Sequence, residues 1–204
     1  MVSAECRVPS AEAATRRDGG SAGSETPQLG TRYSAPGTRR AAVALGANLG
    51  DRSGTIRAAV ERIGRLGRVI AVSPLVETPA WPDLAGPAYL NGALVLETVL
   101  EPEPLLRALH AIEHDLGRQR SVPNAPRTID LDLLLVDDLV HSTPDLVLPH
   151  PRMHERAFVL VPLAAVAADW VHPLLGVTVA DLLAGLDEGE VAAVRPAESG
   201  GGTA

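Results

Sequence analysis

Asp130 and Asp132, separated by one apolar residue in the run Pro-Arg-Thr-Ile-Asp-Leu-Asp-Leu-Leu-Leu-Val at 126–136, carry the most distinctive chemistry in the sequence. Side chains alternate along a strand, so this spacing predicts both carboxylates on one face, with Ile129, Leu131, Leu133 and Leu135 entering the core from the other. Neighbouring anions repel, and the repulsion is relieved by a raised pKa or by a shared cation. Hard oxygen donors with positions left for water and phosphate oxygens favour Mg²⁺ over zinc or copper. An isolated Asp-x-Asp is more often a solvated pair at a sheet edge, so its surroundings decide. Here Arg118 and Arg120 follow Gly117, and Arg127 precedes Asp130 by three positions. Each guanidinium is permanently charged and offers forked donors to phosphate. In phosphoryl transfer the protein mainly positions the reactants and neutralises the moving group, which is what Mg²⁺ and clustered arginines supply.

A second group is Leu-Pro-His-Pro-Arg-Met-His-Glu-Arg-Ala-Phe at 148–158, with His150 and Arg156 just before and within a predicted helix start. Free N–H groups and the positive end of the helix dipole favour phosphate oxygens there. Aromatic residues make up only 2% of the chain, so Trp81, Tyr89 and Phe158 stand out as stacking surfaces for a flat heterocycle. Asn91 shares the strand face of Tyr89 and offers a donor and acceptors to a ring edge. Core filling is the other reading of Tyr89 and Phe158. His110, His114, His141 and His172 are assigned structural or exposed positions. Gly-Ala-Asn-Leu-Gly-Asp at 46–51 lacks the Gly-Lys-Ser/Thr ending of a phosphate loop and reads as a strand-to-helix turn capped by Asp51.

Positioning these residues requires a scaffold, and the apolar periodicity predicts one. Residues 41–46 read as a strand, and 51–66 as a helix stopped by Gly67. Strands follow at 69–77 and 89–98, flanking a Pro/Gly-rich loop that holds Thr78, Pro79, Trp81 and Pro82. Residues 102–117 form a second helix, with Pro102 in its first turn and Gly117 at its end, and 129–136 a buried strand. This order predicts an α+β fold of the ferredoxin-like βαββαβ type, a sheet covered by two helices on one side. A small hairpin and helices around 154–168 and 177–186 read as additions to that plan.

The 204 residues, 46% apolar, suffice for one core, expected over 39–187. Residues 1–38 are poor in apolar pattern and read as a disordered leader or an over-extended start; 188–204 read as a disordered tail. A net charge of −7 argues against a duplex-binding surface. All basic residues are arginine, a bias that genome composition largely explains. The single cysteine, Cys6, excludes an internal disulfide and a cysteine-based metal site. Residues 157–168 form a charge-free core stretch, interrupted by Pro162 and shorter than the ~20 residues a membrane span needs. With no apolar run typical of a secretory signal, the expectation is a soluble, cytoplasmic protein that engages neither membrane nor nucleic acid.

Taken together, Gly-Ala-Asn-Leu-Gly-Asp at 46–51, Glu-Thr-Pro at 77–79, Tyr-Leu-Asn at 89–91, Glu113 with Gly-Arg-Gln-Arg at 117–120, Ala-Pro-Arg-Thr-Ile-Asp-Leu-Asp-Leu-Leu at 125–134 and Leu-Pro-His at 148–150 resemble hydroxymethyldihydropterin pyrophosphokinase of folate biosynthesis. The likeness spans about residues 40–186, and the Pro-Arg-Thr-Ile-Asp-Leu-Asp block is its most specific part. It implies attack of a pterin hydroxymethyl oxygen on the β-phosphorus of ATP, giving AMP and a pterin diphosphate. It further implies two Mg²⁺ ions on Asp130 and Asp132, with Arg118 and Arg127 stabilising the moving group. Arg120, His150 and Arg156 would contact ATP phosphates, and Leu133, Leu146 and Val147 the adenine. Thr78, Trp81, Tyr89, Asn91 and Phe158 would form the pterin pocket, the ring lying between Tyr89 and Phe158. The small-molecule partners so implied are ATP and hydroxymethyldihydropterin, and association with neighbouring folate-pathway enzymes is compatible with them. Pro123 and Asn124 replace a basic residue and a tryptophan common in the family, and Pro151 replaces a tyrosine, which implies weaker product retention. Two other readings stay open: a non-catalytic ligand-binding module and a kinase that releases ADP.

Overall fold

The computed structural model describes residues 37–79, 87–118 and 127–197. Nearly all of the expected leader, Trp81, Arg120, Pro123, Asn124 and residues 198–204 lie outside them. β1 (Arg39–Ala47) sends Ala41, Val43, Leu45 and Ala47 into one core and Ala42 into a second on the opposite face. α1 (Arg52–Ile63) starts at Asp51, whose carboxylate accepts the Gly54 N–H at 2.9 Å, and lays Ile56, Ala59 and Ile63 on the first core. α2 (Pro102–Asp115) begins with proline where an N–H has no intrahelical partner, and buries Leu105, Leu109 and Ile112 against the same face.

β2 (Arg68–Val72) and β3 (Val76–Thr78) pair in turn with one edge of β4 (Tyr89–Thr98); the other edge of β4 pairs with β1. β1 then pairs with β5 (Asp130–Val136), and every pairing is antiparallel. The single strand expected over 69–77 is divided because Pro74 has no N–H to donate. Ser73 spans the break: its hydroxyl accepts the Ala93 N–H at 2.9 Å and its own N–H donates to the Ala93 carbonyl.

A second layer was not foreseen. After the expected hairpin, β6 (His141–Ser142) and β7 (Val147–Leu148), a 3₁₀ turn at Met153–Glu155 leads into α3 (Ala157–Ala167). α3 covers the sheet face opposite α1 and α2, packing Val159, Leu160 and Leu163 on Ala42, Ala93 and Val95. With both faces covered, β4 is buried almost throughout instead of alternating. Pro162 lies inside α3 without ending it, because burial of this wholly apolar helix outweighs one lost backbone bond. α4 (Val179–Ala184) packs on α3 and is capped reciprocally by Thr178 and Asp181.

Two further expectations are corrected. The register of β1 with β5 shifts so that Val43 faces Leu133 and Ala42 faces Leu135, leaving Leu134 as the extra residue of a bulge. Leu131 and Leu133 therefore face α1 and α2, whereas Leu135 joins the opposite core. The segment expected as tail from residue 188 forms α5 (Glu188–Ala192), capped by Asp187, and β8 (Arg195–Pro196), which pairs with the open edge of β3. Backbone pairing to a free strand edge needs no apolar side chains, so composition did not reveal it. No helix among the described residues is long and apolar enough to cross a membrane.

Candidate active site

Ahead of the bulge the alternation of β5 holds. Asp130 lies opposite Gly46 and Asp132 opposite Ala44 on β1; across β1, Gly46 meets Asn91 and Ala44 meets Ala93 on β4. Opposed residues share a face, so two carboxylates and the Asn91 amide overlook a floor of small residues. A Cβ at Gly46 would lie 3.4 Å from Asn91 Oδ1 and 3.8 Å from Asp130 Cβ, so any side chain there would begin to fill the gap between them. Asn91 Nδ2 donates to Thr78 Oγ at 3.0 Å, and Thr78 pairs with Tyr89 in register. Phe158 packs against the core beneath α3, with the Arg156 guanidinium 5.6 Å from its ring centre.

The arginines reach the carboxylates through helix-end geometry. Gly117, at φ +85°, ends α2: its N–H donates to the His114 carbonyl and the Arg118 N–H to the Glu113 carbonyl, a Schellman turn. The turn folds Arg118 back on α2, where it pairs with the Glu113 carboxylate and with Asp130 Oδ1 at 2.7 Å. Arg127 takes the other oxygen, Oδ2, also at 2.7 Å. Asp130 thus carries one guanidinium on each oxygen. Glu113, 1% exposed, accepts the Leu131 N–H at 2.7 Å. Burial pushes its carboxyl up to about 6 against the opposing pull of that N–H and of Arg118.

Sequence reasoning left the roles of Glu113 and Asn48 unassigned. Asn48, 2% exposed, holds the Arg127 backbone from both sides: its Oδ1 accepts the Arg127 N–H at 2.7 Å and its N–H donates to the Arg127 carbonyl at 3.1 Å. The available signal was a buried-type position for a polar residue inside a turn that Asp51 already caps.

Asp132 is placed differently from Asp130. Among the described residues, no hydrogen bond or ion pair engages its carboxylate. Burial first, and Asp130 second, raise its pKa, while His150, Arg156 and Arg118 oppose the rise. It opens onto a cavity of about 290 Å³ at the free edge of β5 whose walls include Leu133, Leu146, Val147 and His150, all expected at the nucleotide. His110 and Asp145 also line it; the first had been set aside as structural or exposed. His150 is lowered by burial, with Asp132 opposing. Its Nδ1 accepts the Arg152 N–H at 3.2 Å, which leaves Nε2 for a ligand. No cluster of three metal-ligating side chains exists among the described residues. Two carboxylates, one of them without a partner among the described residues and raised by burial and by its neighbour, fit Mg²⁺, which completes its shell with water and phosphate oxygens, and do not fit an all-protein zinc site.

Comparison with known proteins gives the same direction. A 2-amino-4-hydroxy-6-hydroxymethyldihydropteridine pyrophosphokinase of Methylorubrum extorquens is 43% identical over 150 residues, 72% of this chain and 94% of that protein. The folic acid synthesis protein fol1 of Schizosaccharomyces pombe is 38% identical over 144 residues, 70% of this chain; this chain spans only 20% of its length. The wild-type HPPK-DHPS structure of Plasmodium falciparum has the same fold, with a TM-score of 0.58 at 15% identity over 72% of this chain and 44% of that one. Residues 42–168 match the family 7,8-dihydro-6-hydroxymethylpterin-pyrophosphokinase (HPPK), and the chain belongs to it.

Proposed function

We propose that the protein transfers a diphosphate from ATP to 6-hydroxymethyl-7,8-dihydropterin in folate biosynthesis. The hydroxymethyl oxygen forms a bond to the β-phosphorus, the bond from that phosphorus to the α,β-bridging oxygen breaks, AMP leaves, and the hydroxyl proton is released. The Asp132 carboxylate, which lines the cavity without a partner among the described residues, beside an Asp130 clamped by two arginines, carries this reading. Asp130 and Asp132 would hold two Mg²⁺ ions, which when bound neutralise the triphosphate. Leu133, Leu146 and Val147 would receive adenine, and His150 Nε2 and Arg156 the phosphates. As ATP enters, Arg118 and Arg127 would exchange Asp130 for the transferred group, keeping fixed positive charge where negative charge moves. Thr78, Tyr89, Asn91 and Phe158, on the face that α3 covers, would receive the pterin, with Trp81 and Arg120 completing the two sites.

The strand order β5-β1-β4, with β2 and β3 along the far edge, supports the ferredoxin-like reading of the core. The longer relatives, of which this chain spans a minor part and one of which is an HPPK-DHPS chain, support association with neighbouring folate-pathway enzymes. A cytoplasmic location rests on composition. The test is a single incubation of protein, ATP, Mg²⁺ and hydroxymethyldihydropterin with the nucleotides resolved: AMP is expected, whereas ADP or unchanged ATP overturns the assignment.

A further inference from the structure

Arg52 is the first residue of α1, where the positive end of the helix dipole disfavours a cation; the Asp51 carboxylate at the cap offsets part of this, and no acidic residue follows in the first turn. Its guanidinium looks outward from the helix to two acceptors: Nη1 donates to Glu77 Oε1 at 2.6 Å and to the Ala88 carbonyl at 2.6 Å. Glu77 stands on β3 immediately before Thr78, and Ala88 immediately before Tyr89. One nitrogen therefore ties together the two chain segments that carry Thr78 and Tyr89, residues that pair in register and adjoin Asn91. β3 is only three residues long, so the strand ladder alone holds it weakly; β8 supports its other edge, with Arg195 opposite Glu77.

We infer that Arg52 is a positioning residue for the pterin side of the site. It touches no reacting atom; it sets the separation of Thr78 and Tyr89 and so the fit of a flat heterocycle between the β3–β4 edge and α3. The place of a cation in the first helical turn, unfavourable to the dipole, is offset by the Asp51 cap and by this tertiary contact, which carries the side chain away from the helix to the β3–β4 edge. Among the described residues, the hydrogen bonds and ion pair of Arg52 go to Glu77 and Ala88, and none goes to Asp130, Asp132, Arg118, Arg127 or a residue lining the nucleotide cavity. The effect is thus confined to one substrate.

The inference rests on the pterin reading, and the test separates the two. In Arg52→Ala the KM for hydroxymethyldihydropterin is expected to rise about tenfold while kcat and the KM for ATP stay within about twofold. Thermal stability should hold, because both side chains of the pair are about one-third exposed and such pairs stabilise little. Arg52→Lys should recover most of the pterin affinity, since a single nitrogen serves both acceptors. Equilibrium binding of hydroxymethyldihydropterin, with and without a non-hydrolysable ATP analogue, is measured in parallel. No binding to the unaltered protein overturns the substrate reading itself. Binding to the unaltered protein with equal binding to Arg52→Ala, or an equal loss of ATP affinity, overturns the role of Arg52 alone.

Discussion

At the scale of single residues, Asp130 and Asp132 differ by position on the same strand face. Asp130 is neutralised by two guanidiniums, while Asp132 is left raised by burial and by its neighbour. Asp132→Ala should therefore lower turnover by about 10²–10³-fold, the usual loss on removing one electrostatic stabiliser of a transferred group. Removing a half-buried carboxylate that has no partner among the described residues also relieves repulsion with Asp130, so the melting temperature should hold or rise. Paired rate and melting measurements check both, and near-normal turnover would contradict the metal assignment. Asn48 acts one step further back. Asn48→Ala orphans the Arg127 N–H at a cost of about 1–3 kcal/mol and lets Arg127 drift, so kcat should fall more than the KM for ATP rises. A denaturation curve that shifts while kcat stays constant would reduce Asn48 to a purely structural residue.

Elements deliver these side chains through their ends. The Schellman turn at Gly117 returns Arg118 to Glu113 and Asp130, and it requires a positive φ that only glycine adopts without strain. Gly117→Ala should cost about 1 kcal/mol of stability, with a loss of turnover larger than that figure explains because the arginine is displaced. Gly185, which ends α4 at φ −85°, is the internal control: a Cβ there meets carbonyl oxygens at 3.5 Å, an ordinary contact. Gly185→Ala should leave both stability and turnover near their starting values. Chemical denaturation and initial rates on the two variants distinguish a conformational requirement from a general dislike of a methyl group. The bulge at Leu134 has a related role, since it lets β5 send Leu131 and Leu133 to one core and Leu134 and Leu135 to the other.

For the whole molecule, the sheet is held between two helical layers, and the link joining α3 to α4 buries a titratable group. His172 is 4% exposed and meets the His154 ring edge-on at 5.9 Å. Burial, and secondarily His154, lower its pKa below 6.5. The folded state then binds fewer protons than the unfolded chain below that value. The contribution of His172 to stability is fully present above pH 6.5 and is lost as pH falls from there through the depressed folded pKa. Urea midpoints should drop as pH falls below about 6.5, and His172→Gln should flatten that part of the profile. An unchanged slope in the variant would assign the acid sensitivity to another group.

Local placement was legible from residue order alone: the shared face of the Asp-x-Asp pair, the nearness of Arg118 and Arg127 to it, the helix starts and stops, and the strands that alternate near the site. These depend on periods of two and 3.6 residues and on capping, which the chain carries in each short segment. What required the tertiary structure was every feature set by distant partners. Leu135 changed face because Ala42 and Val43 on another strand dictated a bulge, and residues 195–196 became a strand because β3 had an edge to offer. Asn48 and Glu113 acquired roles from backbone groups 79 and 18 positions away. Both of Asp130's oxygens are spoken for while those of Asp132 face the cavity, an asymmetry invisible in a symmetrical motif because it arises from what packs above each carboxylate, not from the carboxylates themselves.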